Sequence, residues 1–260
     1  MNTQVKVRTG QFTIDEETKQ LTFLDTRYYS DGEGGYFPSV TTILDAYPKS
    51  AQFYEWLKKM GEDADTVRDE AGERGSIVHK LTEDYDTGEL ITLMDADGKI
   101  RYKSSEWKMF ERYVEFSKNV HPEILRTEFN LISKNIGTAG TLDRTVLLDT
   151  KKYKGKYILD IKTSNAVHDQ YWLQLAAYKE LYEETFPDEK IDGVCVLWLN
   201  AKTRGESKTG EIQGKGWQLV FPDKEHAYYW NLFKCTQVLW NEVNGGNKPN
   251  NVSYTIEHKK

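Results

Sequence analysis

An α+β fold, an α/β sandwich in its layering, is what this sequence predicts, and three observations predict it. Apolar residues recur at spacings of three and four across residues 50–120, which is helical periodicity. Strand-like runs rich in β-branched residues take over at 126–162. One more helical stretch, 167–186, then separates that β region from two later strands. Helices first, followed by a short sheet with an embedded helix, predict one α+β domain carrying a helical insertion or cap.

Taken in order, residues 4–30 alternate apolar and polar around Asp15-Glu16-Glu17-Thr18-Lys19 and predict a β-hairpin, an extension spanning 1–35. Past the glycine-rich Asp31–Gly35, Pro38-Ser39-Val40-Thr41 opens a helix with proline near its first turn. The main domain is expected over 36–243, with 36–120 as its cap. Helices are predicted at 50–60, 63–87 and 104–119, and strands at 128–132, 138–148 and 156–161. The stretch 167–186 reads as an amphipathic helix with Tyr171, Gln174, Leu175, Tyr178 and Leu181 on one stripe. Strands follow at 191–201 and 216–221, joined by a basic loop with Lys202, Arg204, Lys208 and Lys215, then a helix over 223–243. The remainder, 244–260, is expected to be a flexible tail.

Composition narrows the function. A net charge of −6 argues against indiscriminate electrostatic binding of nucleic acid. It leaves room for a nuclease, because carboxylates gathered for a metal are themselves negative. No apolar run approaches the ~20 residues that span a bilayer, and the N-terminal residues lack the apolar core of a secretion signal. A cytoplasmic location, in a bacterial cell or a phage-infected host, is expected, with no membrane partner. The two cysteines, Cys195 and Cys235, read as buried thiols.

Asp160-Ile161-Lys162 ends the apolar run Tyr157-Ile158-Leu159. Side chains two apart on a strand share a face, so a carboxylate and an ammonium stand side by side. Alone, such a pair is usually a solvated ion pair. If Leu148 faces Tyr157 across the hairpin turn at Asp149–Gly155, Asp143 comes within about one pleat repeat of Asp160, and a bulge near Asp143 would close the gap. On the helix of residues 63–87, His79 and Glu83 lie one turn apart and Gly75 leaves space beside the imidazole. A surface His–Glu pair is the ordinary reading of that spacing. One neutral nitrogen with two carboxylates suits Mg²⁺ or Mn²⁺ when water and phosphate oxygens complete the shell.

The ordered set Gly75-x-x-x-His79-x-x-x-Glu83, Gly140-x-x-Asp143, Asp160-x-Lys162 and Gln174-x-x-x-Tyr178, with Pro38-Ser39-Val40-Thr41 before it, resembles the RecB-type branch of the PD-(D/E)xK nuclease superfamily. Within that branch the likeness is greatest to the mitochondrial genome maintenance exonucleases and their phage relatives, and it covers roughly residues 36 to 200. It implies a restriction-endonuclease-like core, a central mixed sheet flanked by helices. It also implies hydrolysis of DNA from a free, single-stranded end in phage or bacterial replication, recombination or repair. Duplex-end and structure-selective cleavage are the related alternatives, and a non-cleaving DNA-binding scaffold is the alternative of another class.

By the same resemblance His79, Asp143, Asp160 and the Ile161 backbone carbonyl would hold Mg²⁺ or Mn²⁺, and Lys162 would position or activate water. Gln174 and Tyr178 would orient the DNA backbone, although packing on the sheet also accounts for Tyr178. Glu83 would support His79, and Glu128, at the start of a strand, is a weaker candidate for an outer or second-metal ligand. Ser39 and Thr41 would touch phosphate or simply cap a helix. Some relatives carry four cysteines for an iron–sulfur cluster, which two cysteines cannot supply. No helicase motif is present, so a helicase or a single-strand-binding protein is an expected partner.

Overall fold

The computed structural model describes residues 7–9, 14–23, 26–203, 212–245, 249 and 253–255. After β1 (Val7–Thr9), the strands β2 (Gln20–Phe23), β3 (Thr26–Ser30) and β4 (Tyr36–Pro38) form a three-stranded antiparallel sheet. Four helices follow: α1 (Val40–Ile43), α2 (Ala51–Met60), α3 (Ala64–Asp86) and α4 (Ser104–Val120). Then come β5 (Glu123–Ser133), β6 (Thr138–Asp149), β7 (Lys154–Lys162), α5 (Asp169–Thr185), β8 (Gly193–Trp198), β9 (Gln213–Gly214), β10 (Trp217–Val220), α6 (His226–Asn244) and β11 (Ser253–Thr255).

The six-stranded sheet runs β5-β6-β7-β8-β10-β9. Only β7 and β8 are parallel, as their connection through α5 requires, because a two-residue turn cannot join parallel strands. The result is α+β with a central mixed sheet flanked by helices, as the sequence predicts. Alternation along β7 sends Ile158 to one face and Leu159 and Ile161 to the other. The first face is covered by α1, α5 and α6 through Ile43, Leu173, Tyr178 and Phe233. The second is covered by α3 and α4 through Val78, Met109, Tyr113 and Phe116. No helix among the described residues is long and apolar enough to cross a membrane.

The N-terminal antiparallel sheet is present as expected, though residues 4–6, 10–13 and 24–25 of the expected hairpin lie outside the described residues, and several details of pairing and packing differ from expectation. The Asp15 turn forms, with the carboxylate accepting from the Glu17 and Thr18 amides at 3.0 and 2.7 Å. The described ladder, however, joins β2 to β3, with Gln20 against Tyr29 and Phe23 against Thr26. Strand β1 pairs with β11, so the tail expected to be flexible contains a strand whose partner is at the other end of the chain. Leu21 and Tyr28 are buried in the same cluster as α5, which makes the N-terminal sheet part of the core rather than an appendage. Of the expected cap, α4 and the end of α3 are a full layer of the sandwich, whereas α2 buries none of its residues.

Helix α5 is enclosed nearly all round, with Leu173, Ala176 and Ala177 buried beside the expected stripe. Cys195 is buried in β8, but Cys235 is exposed on α6. Arg204 and Lys208 of the basic loop lie outside the described residues.

Candidate functional site

The hairpin of β6 and β7 is in a different register from the one assumed. Val146 pairs with Tyr157, Leu148 with Gly155 and Arg144 with Leu159. One step beyond the last pair, Asp143 stands opposite Asp160 with no bulge between these strands. In place of the next ladder bond, Asp143 Oδ2 accepts the Ile161 amide at 2.7 Å. A side chain that caps its neighbour's backbone is thereby locked at the end of the hairpin.

Helix α3 delivers His79 to the same peptide. Its Nε2 lies 3.0 Å from the Ile161 carbonyl, and Nδ1 lies 3.5 Å from Asp143 Oδ1 and 3.8 Å from Glu128 Oε1. The carbonyl fills the supporting role expected of Glu83, whose partner is Lys80, one turn back on the exposed side of α3, at 3.1 Å. Ligand atoms of His79, Glu128 and Asp143 all lie within 4.8 Å of one another. Two donors at right angles about an ion ~2.1 Å away are about 3 Å apart, so small side-chain movements suffice to fit one. The donor set, one imidazole and two carboxylates, suits Mg²⁺ or Mn²⁺.

Asp160 stands outside that triad and is drawn to Lys162. It is 1% exposed, and the Lys162 ammonium lies 2.7 Å from its Oδ2, although that oxygen has no well-aligned hydrogen-bond donor. A relay continues into α5. Lys162 Nζ donates to Gln174 Oε1 at 3.2 Å, Gln174 Nε2 donates to the Tyr178 hydroxyl at 3.2 Å, and the ammonium sits over the Tyr171 ring at 4.7 Å.

The electrostatics follow from burial and this crowding of charge. Burial disfavours the His79 imidazolium, but the Asp143 and Glu128 carboxylates outweigh it and raise the pKa to about 9. Burial lifts the Asp160 carboxyl to about 6, against the pull of Lys162. Burial would lower Lys162, yet Asp160 and Asp143 overcome that and its pKa is raised. Opposed charges thus face one another in the site, two carboxylates against the imidazole.

A cavity of about 720 Å³ opens over His79, Glu128 and Asp143, with Arg27, Tyr29 and Tyr178 in its walls. The N-terminal sheet contributes a wall that no sequence motif announced. The Tyr29 hydroxyl meets Thr141 Oγ1 at 3.0 Å, and Asn130 Nδ2 donates to the Thr18 carbonyl at 2.9 Å. Ser39 is buried and caps α1, accepting from the Thr42 amide at 2.9 Å, while exposed Thr41 faces the cavity. With only four residues, α1 has too little dipole to gather phosphate by itself.

Two further residues went unmarked in the sequence. Arg27, an exposed cation on the cavity wall, carries no motif signal. Arg144, fully buried, stands between Leu142 and the apolar run Val146-Leu147-Leu148, a position that demands a partner and was the one available signal. Glu128 was expected at a strand start. It lies within β5 with φ of 43°, a left-handed conformation that re-aims its carboxylate.

No family model and no curated protein matches this chain. Among solved structures it is similar to a "Putative exonuclease" from Eubacterium rectale, at 15% identity over 82% of this chain and 83% of that one, with a TM-score of 0.41.

Proposed function

We propose that the chain is a Mg²⁺- or Mn²⁺-dependent deoxyribonuclease of the RecB-type PD-(D/E)xK kind, acting as an exonuclease on single-stranded DNA ends. The observation that carries this reading is the meeting of His79, Asp143, Asp160 and Lys162 around one peptide, Ile161, from three separate elements. His79 and Asp143 would hold the ion, and Asp160 and the Ile161 carbonyl would join them on giving up their contacts with Lys162 and His79 Nε2. When bound, a divalent cation polarises a phosphoryl oxygen and acidifies water, which is the chemistry phosphodiester hydrolysis needs.

The chain's own residues account for the rest. Lys162, steadied by Gln174 and Tyr178, presents an ammonium where negative charge develops on the phosphoryl group. His79 fixes the Ile161 carbonyl, so the peptide between Asp160 and Lys162 cannot swing. Arg27 and Thr41 on the cavity walls offer donors to phosphate oxygens.

Digestion of 5′- and 3′-labelled linear DNA, and of circular single-stranded DNA, with and without Mn²⁺, tests the proposal. Metal-dependent release of nucleotides from linear single strands, with circles left intact, is expected. Cleaved circles would make it an endonuclease, and preference for blunt duplex ends would make it a recombination-type exonuclease. Binding of labelled DNA with no cleavage under any metal would replace the enzyme with a scaffold.

A further inference from the structure

Glu128 violates the local rules of a β-strand. A left-handed backbone at a non-glycine residue is strained and persists only where the surroundings enforce it. The ladder pairs Thr127 with Arg144 and Phe129 with Leu142, and between them Glu128 and Asp143 are left unpaired. These are the two carboxylates that face His79.

Arg144 lies directly behind both. Its Nη1 donates to the Asp143 carbonyl at 2.7 Å and to Glu128 Oε1 at 3.3 Å. Its Nε donates to Asp86 Oδ2 at 2.7 Å, and Nη2 to Thr82 Oγ1 at 3.3 Å. Asp86 also accepts from the buried Tyr113 hydroxyl at 2.6 Å. Arg144 is thus anchored from α3 through Nε and Nη2, with α4 holding Asp86 in place, and spans the two strand residues with Nη1 of the same planar guanidinium.

We propose that Glu128 is a protein ligand of the divalent ion, alongside His79 and Asp143, and that Arg144 is the positioning residue that aims it. This rests on the metal-dependent reading above. A purely structural Arg144–Glu128 ion pair does not account for the arrangement. Asp86 already neutralises the guanidinium at 2.7 Å, the contact to Glu128 is longer at 3.3 Å, and neither requires Glu128 to be left-handed. A carboxylate turned toward a neighbouring imidazole and a second carboxylate, at the expense of its own backbone, has the arrangement of a ligand. Because the same guanidinium also holds the Asp143 carbonyl, it sets the separation between two of the three donors.

The test is Mn²⁺ titration of the full chain without DNA, followed by electron paramagnetic resonance. The proteins compared are wild type, Glu128→Gln, Arg144→Lys and the double variant. Glu128→Gln should weaken Mn²⁺ binding by about 10- to 100-fold. Arg144→Lys keeps the charge but loses the fork, and should weaken binding less. In the double variant most of the Arg144 loss should vanish, leaving only the part that acts through the Asp143 carbonyl.

Wild-type affinity in Glu128→Gln, or a full additional loss from Arg144→Lys in the double variant, would overturn the proposal while leaving the nuclease reading intact. No Mn²⁺ binding by the wild type would defeat both. If Arg144→Lys fails to fold, Glu128→Asp decides. Its carboxylate is retracted by one methylene and should bind Mn²⁺ about tenfold more weakly, and wild-type affinity there would refute the ligand role.

Discussion

Gly75 and Gly140 both belong to the motif set, yet the structure assigns opposite signs to their replacement by alanine. At Gly140, in β6, an added Cβ would lie 2.5 Å from Tyr178 Cε1 and 3.2 Å from its hydroxyl. Relieving that overlap to an ordinary contact requires the ring to retreat by about 1 Å. Tyr178 is only 4% exposed and lies in one cluster with Leu131, Leu142 and Leu175, so the ring can give way only toward the cavity it borders. Overpacking of this kind costs about 1–3 kcal/mol, partly offset by the roughly 0.5–1 kcal/mol that alanine gains over glycine. Gly140→Ala should therefore lose about 1–2 kcal/mol, a fall in Tm of a few degrees for a chain of this size.

At Gly75, within α3, the nearest atom to an added Cβ is Thr163 Oγ1 at an ordinary 3.6 Å, so Gly75→Ala should gain about 0.5–1 kcal/mol from helix propensity. Urea unfolding of both variants beside wild type measures the two signs. Displacement of Tyr178 also passes through Gln174 to Lys162, so Gly140→Ala should lose activity as well as stability. If Gly140→Ala proved as stable as Gly75→Ala, the packing argument for Tyr178 would be refuted.

Three further outcomes are expected. Lys162→Met leaves the Asp160 carboxylate buried without its cation, which should cost about 3–5 kcal/mol in urea unfolding. Adding Asp160→Asn should restore most of that stability without restoring cleavage, and a double variant no more stable than the single would contradict the pairing. Arg27→Ala should raise KM for DNA about tenfold, the scale of one charge-assisted hydrogen bond, with kcat little changed; a fall confined to kcat would remove Arg27 from substrate binding.

Away from the site, Arg126, Lys156 and Tyr182 hold Glu189 well below its ordinary value of 4.5. That contribution is fully present above pH 4.5 and is lost as pH falls through the lowered value. The stability advantage of wild type over Glu189→Gln should therefore be largest near neutrality and shrink in acid. An advantage that grew on acidification would reverse the sign of the argument.

Asp160-x-Lys162 and His79 were legible because strand alternation and helical spacing are local properties, written within a few residues. The same locality explains what was missed. The pairing of β6 with β7 depends on the turn chosen between Asp149 and Lys154, and a shift of two residues moved Asp143 from an approximate neighbour of Asp160 to its opposite. The resemblance made Glu83 a support for His79 and Glu128 a weaker candidate for an outer or second-metal ligand. The structure gives Glu83 to Lys80 and turns Glu128 toward His79, because a backbone torsion in β5 decides where that carboxylate points.

By itself the sequence determined the succession of helices and strands, the α+β class and the residue types able to bind a divalent ion, since periodicity and chemistry reside in short segments. Only the tertiary structure decided that the N-terminal sheet walls the cavity, that α4 is a layer rather than a cap, and that a buried arginine stands behind two carboxylates. Those are contacts between segments far apart in the chain. They are chosen by the burial of whole faces against one another, and no single segment contains that information.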